Sequence, residues 1–287
     1  MKQLMVSAPA KLNLALDILR RRPDGYHDLK MVMQTISLCD VVTVRTGTGT
    51  GRTELRSPGA GLPSGEKNLA FRAARAFFAA TGAVNDGVEI ELEKHIPMQA
   101  GLAGGSADGA AVLRALQSAY GEPDTESELE AIAFAIGSDL PFCVRGGTAL
   151  AEGRGELLTD LPKLPPCWIA VCKPAFGLST PDLFARVRVG DIRCRPDFAA
   201  LHAALETRNL PEIAGLLCNV FEPFLTEEEH REIAAIRDAL RIGGALGTAM
   251  TGSGPAVFGL FDREEAARET VRTLRRQYAQ VFLAKPL

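Results

Sequence analysis

Apolar and polar residues alternate from the start of the chain, which is the pattern of a half-buried β-strand. Leu4, Val6 and Ala8 share one face of such a strand, and a second run with the same period covers residues 12–18. We therefore predict two strands joined near Pro9. Further strands are predicted at residues 29–38, 41–45 and 88–93.

Helical spacing of apolar residues appears next. Asn68 is predicted to cap an alanine-rich helix that runs to about residue 80. A second helix is predicted to follow Gly105, with Ser106 as its cap and residues 121–123, Gly-Glu-Pro, as its end. A glycine-rich segment therefore lies directly before a helix N-terminus.

A third, shorter helix is predicted at residues 129–136, between a capping box formed by Thr125 and Glu128 and the helix-ending Gly137. Asp139 follows outside that helix. Loops are predicted at residues 47–51 and 57–65.

A proline-rich segment, residues 161–166, is the best candidate for a domain boundary, because proline neither extends a helix nor donates within a central strand. We predict an N-terminal domain over residues 1–161 and a C-terminal domain over 162–287. The second part mixes strands and helices without strict alternation, so the predicted fold class is α+β in two domains. Its predicted strands are residues 168–172, 247–251, 256–261 and 281–284, and its predicted helices are 198–206, 212–218, 226–241 and one that begins at 263.

Composition narrows the function classes. The 287 residues are 46% hydrophobic and 23% charged, which leaves enough apolar material for one large or two medium cores. The net charge is -3 and the basic residues are scattered, so a nucleic-acid partner is not expected. The only basic run, residues 19–22, is predicted to be solvated.

No stretch reaches the roughly 18 apolar residues of a membrane span, and the N-terminus lacks the apolar region of a signal peptide. We therefore expect a cytoplasmic protein without a membrane partner. The six cysteines form no C-x-x-C pair, so we expect reduced thiols and no structural zinc. His95, His202 and His230 have no neighbours at metal-ligand spacing.

Residues 97–111 carry the strongest chemical signal. Gly101, Gly104 and Gly105 leave backbone amides open to a ligand, and the helix that follows adds unpaired N–H groups. That combination binds anions. The letters match neither the Walker motif nor the dinucleotide fingerprint. A glycine-rich turn that binds nothing remains the alternative on these residues alone.

Asp108 follows the glycines and would repel a triphosphate unless Mg²⁺ bridges the two. Ser106 offers a hydroxyl to the metal or to a phosphate, with helix capping as its alternative role. Ser106 and Asp108 are therefore the candidate Mg²⁺ contacts, and no other metal ligand is assigned.

The glycine-rich segment resembles the second signature of the GHMP kinase superfamily, which is named for galactokinase, homoserine, mevalonate and phosphomevalonate kinases. Residues 8–14, Ala-Pro-Ala-Lys-Leu-Asn-Leu, resemble the first signature, and residues 250–255, Met-Thr-Gly-Ser-Gly-Pro, resemble the third. Residues 24–27, 137–142 and 153–156 are also similar to a family within it. The resemblance implies a ribosomal-protein-S5-like N-terminal domain and a ferredoxin-like C-terminal domain.

The resemblance also implies the site. Lys11 and Asp139 match the catalytic pair, although Lys11 alone would be read as a surface lysine and Asp139 as a turn residue. The ATP-binding residues it implies are Pro97, Met98, Gln99, Ala100, Gly101, Leu102, Ala103, Gly104, Gly105, Ser106, Ala107, Asn68 and Lys94. The substrate-binding residues it implies are Asn13, Tyr26, His27, Thr180 and Phe184. Asn68 is also explained as a cap, and Phe184 as a core residue.

Residues 24–27, Asp-Gly-Tyr-His, resemble superfamily members whose alcohol substrate is carried on cytidine diphosphate. The implied reaction is transfer of the ATP γ-phosphoryl group, with Mg²⁺, to the 2-hydroxyl of a methylerythritol, in the non-mevalonate route to isoprenoid precursors. Tyr26 and Phe184 would sandwich the base while His27 meets its edge. A monomer or homodimer is expected. The alternatives are a homoserine or mevalonate type of kinase, or a nucleotide-binding regulator without turnover.

Four positions depart from the superfamily pattern: Gln99, Ala103 and Ala107 replace glycine or serine, and Gly109 replaces alanine. Ala103 would be strained if its backbone takes a positive φ. We expect these changes to alter the affinity for ATP.

Overall fold

The computed structural model describes residues 1–56, 62–123 and 125–287, so part of the predicted loop at 57–65 lies outside it. The strands are β1 (Lys2–Arg21), β2 (His27–Thr46), β3 (Thr53–Arg56), β4 (Val88–Glu93), β5 (Thr148–Gly153), β6 (Leu157–Asp160), β7 (Trp168–Lys173), β8 (Cys218–Asn219), β9 (Gly247–Met250), β10 (Val257–Phe261) and β11 (Gln280–Ala284). The α-helices are α1 (Leu69–Thr81), α2 (Gly104–Tyr120), α3 (Glu126–Phe134), α4 (Leu140–Arg145), α5 (Thr180–Arg186), α6 (Phe198–Glu206), α7 (Leu210–Gly215), α8 (Glu227–Ile242) and α9 (Glu264–Leu274).

The first two strands are longer than predicted. The break near Pro9 is wrong, because β1 runs through that residue without interruption. Ala8, Ala10, Leu12 and Leu14 are all fully buried, so the two-residue period continues across the proline and keeps one face in the core.

Local helix signals were mostly correct. Asn68 caps α1 by accepting a 2.9 Å hydrogen bond from the Ala70 amide, and Thr125 forms the predicted capping box with Glu128. The Ser106 cap is wrong. Helix α2 begins earlier, after Ala103 in a left-handed conformation, so Ser106 is its third residue. Gly121 ends this helix with a φ of 80°, as predicted.

The chain divides into two compact units that are interleaved along the sequence. The first consists of Met1–Ala10, Cys39–Ile96 and Ala103–Gly146. In it, β4 pairs in parallel with β3 and antiparallel with the last part of β2, from Val41↔Glu93 to Thr46↔Val88. Helix α2 packs against α1 and α4.

The second unit consists of Lys11–Leu38, Pro97–Leu102 and Gly147–Leu287. In it, the first part of β2 pairs antiparallel with β5, β5 pairs with β6, and β1 pairs in parallel with β8. A separate antiparallel sheet has the order β11-β7-β10-β9, and α8 and α9 pack on it.

The four-stranded sheet takes its strands in the chain order strand, helix, strand, strand, helix, strand, which is the ferredoxin-like arrangement. The α+β prediction is therefore confirmed. The domain boundary between residues 161 and 162 stays a prediction. Among the described residues, no helix combines the length and the apolar character needed to cross a membrane.

Candidate active site

Lys11 is the centre of a set of contacts within the second unit. The residue is 4% exposed, so reading it as a surface lysine is wrong. Its Nζ atom donates a 2.6 Å hydrogen bond to Asn13 Oδ1, and its backbone amide donates to the Leu102 carbonyl at 3.1 Å. The Asn13 amide donates to Thr251 Oγ1 at 3.0 Å. The first signature therefore contacts segments of the second and the third.

Two glycines let the second and third signatures approach each other. Gly101 and Gly252 both have positive φ angles, +73° and +56°. A Cβ atom on Gly101 would lie 2.0 Å from the Thr251 carbonyl oxygen, and one on Gly252 would lie 2.8 Å from the Gly101 oxygen and 3.1 Å from Lys11 Nζ. Both positions therefore require glycine, and bare backbone lies beside the lysine ammonium.

Asn219 fixes the backbone of the third signature. This residue was not among those predicted from the sequence. Its side-chain amide donates to the carbonyl oxygens of Met250 at 2.8 Å and Gly252 at 2.9 Å. Asn219 belongs to the two-residue strand β8, which is too short to show a pattern in the sequence alone.

The glycine-rich segment contains two strained residues. Gln99 and Ala103 have φ angles of 50° and 56°, a left-handed conformation that disfavours residues with a Cβ atom. The Gln99 side chain packs so closely on Gly177 that a Cβ there would lie 2.5 Å from Gln99 Oε1. Ala103 precedes α2 directly, so the strain lies where the helix N-terminus begins.

The remaining residues of this segment differ in exposure. Pro97, Ala100, Leu102 and Ala107 are buried, whereas Met98 is exposed, and Gly104, Gly105 and Ser106 form the start of α2. The departure at Gly109 has a packing explanation. A Cβ atom there would lie 2.9 Å from Leu140 Cδ2 and 3.3 Å from the Leu69 carbonyl oxygen.

A buried charge cluster of Asp40, Lys94 and Asp108 lies in the first unit. Lys94 Nζ donates to Asp40 Oδ2 and, at 2.5 Å, to Asp108 Oδ2. Asp40 Oδ1 accepts hydrogen bonds from the backbone amides of His95 and Ile96, at 2.5 and 2.7 Å. Asp40 is fully buried. The cluster therefore ties β2, the end of β4 and helix α2 together.

Asp108 is the least satisfied member of the cluster. Its Oδ1 atom is buried, and no group of the described residues forms a hydrogen bond with it. Burial raises the pKa of the Asp108 carboxyl to about 7, and the charge of Lys94 opposes that shift. Asp108 is the fifth residue of α2 and so lies beyond its first turn.

Two predicted site residues in the first unit have structural explanations as well. Asn68 is buried, and its side chain caps α1 and donates to the Pro63 carbonyl at 3.0 Å. Asp139 occupies the N-cap position of α4, but its side chain makes no capping hydrogen bond. The helix therefore does not account for the Asp139 carboxylate.

A tight turn presents Tyr26 and His27. The Tyr26 amide donates to Asp24 Oδ1 at 3.1 Å, the Gly25 φ is +87°, and the Arg22 amide donates to the Tyr26 carbonyl at 2.7 Å. Arg22 also pairs with Asp24, so the basic run is tied to the turn. Asp24 and Gly25 thus form the turn, and the turn presents Tyr26 and His27.

The structure brings together two of the predicted substrate residues, His27 and Phe184, and places a third, Thr180, against Ser253 of the third signature. The rings of His27 and Phe184 stack with centroids 4.9 Å apart and an interplanar angle of 21°. Thr180 and Ser253 share a 2.7 Å hydrogen bond between hydroxyls. Burial, with the nearby charge of Arg21, lowers the pKa of His27 and favours a neutral imidazole. The predicted base sandwich between Tyr26 and Phe184 stays a prediction.

Two family models match the chain. The model described as GHMP kinases N terminal domain matches residues 68–147, and the model described as GHMP kinases C terminal matches residues 201–280. The first match contains the glycine-rich segment and Asp139.

Full-length relatives carry one name. A protein of Geobacillus thermodenitrificans (strain NG80-2) named 4-diphosphocytidyl-2-C-methyl-D-erythritol kinase is 40% identical over 285 residues, covering 99% of this chain and 97% of that protein. A protein of the same name from Brevibacillus brevis is 41% identical over 285 residues, with the same coverage.

Solved structures agree with these relatives. A crystal structure of 4-(cytidine 5'-diphospho)-2C-methyl-D-erythritol kinase is 36% identical with a TM-score of 0.82, covering 99% of both chains. A mevalonate kinase from Methanococcus jannaschii has a TM-score of 0.73 at 14% identity, covering 100% of this chain and 99% of that one, and shows the fold alone.

Proposed function

The chain belongs to the 4-diphosphocytidyl-2-C-methyl-D-erythritol kinase family of the GHMP kinases, and it is a kinase. We propose that its substrate is 4-diphosphocytidyl-2-C-methyl-D-erythritol. The γ-phosphoryl group of ATP passes to the 2-hydroxyl of the methylerythritol, giving the 2-phosphate and ADP. The observation that carries the proposal is the buried Lys11, hydrogen-bonded to Asn13 and adjoining the glycine backbone at Gly252.

Lys11 and Asp139 are the proposed catalytic residues. Phosphoryl transfer passes through a loose transition state that requires alignment and charge stabilisation more than a strong base. The Lys11 ammonium stabilises negative charge on the reacting oxygens, and Asn13 orients it. Asp139 positions the attacking hydroxyl and accepts its proton as the oxygen–phosphorus bond forms.

The triphosphate is proposed to bind at residues 97–107. The backbone amides at Gly104, Gly105 and Ser106 open helix α2 and have no partners within the helix, which suits a phosphate. Asn68 and Lys94 stay predictions as ATP contacts. Since the Lys94 ammonium already binds Asp40 and Asp108, the buried cluster supports a role in holding α2 beside the phosphate site.

Mg²⁺ with ATP is part of the proposal. Such a site uses few protein oxygens, because Mg²⁺ keeps waters and substrate phosphates as ligands. The half-buried Ser106 hydroxyl fits that chemistry, whereas the Asp108 carboxylate is buried and paired with Lys94. Ser106 would therefore hold the ion, which supplies charge neutralisation on the phosphate oxygens when bound. Asp108 remains the weaker candidate.

Tyr26, His27, Thr180 and Phe184 are proposed to bind the cytidine diphosphate part of the substrate. A neutral imidazole has one donor and one acceptor nitrogen, which matches the edge of a pyrimidine. The exposed Tyr26 ring offers a face for stacking. The cytoplasmic location, and whether the protein is a monomer or a homodimer, stay predictions.

The test is a coupled assay of ADP release with the purified chain, ATP and Mg²⁺. We expect turnover with 4-diphosphocytidyl-2-C-methyl-D-erythritol and none with mevalonate, homoserine or CTP. Turnover with homoserine or mevalonate would replace the proposal with that of a related GHMP kinase. Nucleotide binding without ADP release from any of these acceptors would indicate a regulator.

A further inference from the structure

The turn between β5 and β6, residues 153–156 (Gly-Arg-Gly-Glu), has no role in the chemistry described so far. Its backbone is built around the Glu156 carboxylate. The Arg154 amide donates to Glu156 Oε2 at 2.6 Å, and a Cβ atom on Gly153 would lie only 2.8 Å from Glu156 Oε1. Gly153 and Gly155 have φ angles of +72° and +120°. The glycines and the glutamate therefore fix the backbone of the one remaining residue, Arg154.

Strand pairing places this turn beside the segment that contains Tyr26. Strands β2 and β5 pair antiparallel with Leu29 opposite Gly153, so the start of β2 and the end of β5 lie side by side. The Arg154 guanidinium carbon lies 3.8 Å from the centre of the Tyr26 ring. That distance is a close cation–π contact.

Tyr26 is left with one face for a ligand. The residue is 52% exposed, and the guanidinium lies over one face of its ring, so a planar ligand that stacks on this ring must use the opposite face. The Asp24 turn fixes the tyrosine backbone, but nothing in that turn fixes the ring. Arg154 supplies the missing restraint.

We propose that Arg154 is a positioning residue for base recognition: it holds the Tyr26 ring so that the opposite ring face stacks on the cytosine of the substrate. The inference rests on the proposed function. A preorganised ring loses less side-chain freedom when the base binds, which favours binding without affecting the phosphoryl-transfer step. Arg154 therefore acts on substrate affinity and leaves ATP affinity and turnover nearly unchanged.

The experiment compares Arg154→Met and Arg154→Lys with the unaltered protein. We expect Arg154→Met to raise the KM for the cytidyl substrate and the Kd for CDP, measured by calorimetry, by about 2- to 5-fold, the range of an exposed cation–π contact. The KM for ATP and kcat should change less than about 2-fold. Arg154→Lys keeps the charge and should restore at least part of the loss.

Lys285→Met is the matched control, because Lys285 lies 3.9 Å over the Trp168 ring in the same unit. It removes an equivalent contact far along the sequence from the turn and should leave the KM for the cytidyl substrate unchanged. The background variant Tyr26→Leu separates positioning from general stabilisation. In it, Arg154→Met should have no further effect on CDP affinity.

Equal CDP affinity of Arg154→Met and the unaltered protein overturns the inference, as does the same loss of affinity in the Tyr26→Leu background. If Arg154→Met does not fold, Arg154→Lys takes its place, and a loss of CDP affinity that is the same size in the Tyr26→Leu background overturns the inference. Failure of the proposed function looks different: the unaltered protein itself would not phosphorylate the cytidyl substrate.

Discussion

The Lys11 ammonium donates a 2.6 Å hydrogen bond to the side-chain oxygen of Asn13, two positions further along the same strand. Residues two apart on a strand point to the same face, so the strand alone brings this pair together. Both residues are buried, and the pair is fixed again by the Asn13 amide, which donates to Thr251. The direction of the Lys11 charge is therefore set before any ligand binds.

Replacing that charge should stop the reaction without unfolding the protein. We expect Lys11→Met to lower kcat at least ~10²-fold, because a preorganised positive group contributes about that much to stabilising transition-state charge. Methionine fills most of the lysine volume but leaves the buried Asn13 Oδ1 without this donor, so the free energy of unfolding should fall by about 1–3 kcal/mol while the protein still folds. The control is Lys2→Met on the same strand, where the exposed lysine donates to the Ala119 carbonyl at 3.0 Å. Near-normal turnover of Lys11→Met would remove the residue from the mechanism.

Asp139 should behave in the same way. We expect Asp139→Asn to lower kcat at least ~10²-fold, since the amide cannot accept the hydroxyl proton. Asparagine is nearly the same size and shape as aspartate, and the Asp139 side chain makes no capping hydrogen bond in α4. The far-ultraviolet circular dichroism of Asp139→Asn should therefore match that of the unaltered protein. Asp197→Asn is a suitable comparison, because Asp197 caps α6 and has no assigned part in the reaction. A kcat within about 3-fold of normal for Asp139→Asn would rule out proton acceptance by this group.

Because Ala103 has a strained left-handed backbone, we expect glycine at this position to make the protein more stable. Ala103→Gly should raise the free energy of unfolding by about 1 kcal/mol, because glycine adopts a φ of 56° without steric penalty. Ala110→Gly, in the regular part of the same helix, should lower it by at least ~0.5–1 kcal/mol. Urea unfolding of both variants tests the pair. If Ala103→Gly lowers the free energy of unfolding as Ala110→Gly does, Ala103 is not strained.

Gly252→Ala should damage the site directly. Its Cβ atom would lie 2.8 Å from the Gly101 oxygen and 3.1 Å from Lys11 Nζ, so the lysine or the loop must move. We expect kcat to fall at least ~10-fold, as a displacement of about 1 Å at a reacting group does. Gly49→Ala is the control for backbone strain, because Gly49 has a φ of +76° with nothing within 4 Å of a Cβ there. Equal activities of the two variants would contradict the close approach.

Asp108 predicts a pH dependence of stability. Its folded-state pKa, about 7, lies above the ordinary carboxyl value of 3.8, so the folded protein holds this proton more tightly than the unfolded chain. The Asp108 carboxyl therefore makes its full contribution to the free energy of unfolding below about pH 4, and this contribution is lost as the pH rises to about 7. The asparagine in Asp108→Asn does not titrate, so the variant does not lose this contribution. The free energy of unfolding of Asp108→Asn minus that of the unaltered protein should therefore increase from pH 5 to pH 8.

Chemical denaturation across that range measures the difference. Glu265→Gln, an exposed position in α9, should run parallel to the unaltered protein. A constant difference between Asp108→Asn and the unaltered protein would mean that Lys94 keeps the carboxyl charged throughout.

Predictions from sequence were good where the interacting residues are neighbours in the chain. The Asn68 cap and the Thr125 capping box depend on contacts within a few positions, and both are confirmed. The strand at residues 88–93 is confirmed as well, from its alternating pattern. The predicted break at Pro9 failed because burial on both sides of the proline outweighs its local preference.

Contacts between distant residues were not predictable in this way. Asp40 and Lys94 are 54 positions apart, and no local pattern in the sequence pairs them. Arg154 and Tyr26 meet because of the register between β2 and β5, which no local pattern specifies. The resemblance to a family identified the signature segments, whereas their contacts had to come from the fold.

The close approach of Gly101 and Gly252 also bears on directed evolution of this protein. Any side chain at either position meets a backbone oxygen within 2.8 Å, so random libraries lose every variant that changes them. Gln99 and Ala103 in the same segment take the same left-handed backbone conformation with a side chain in place. A library meant to alter nucleotide preference should therefore diversify Gln99 and Ala103 and keep both glycines fixed.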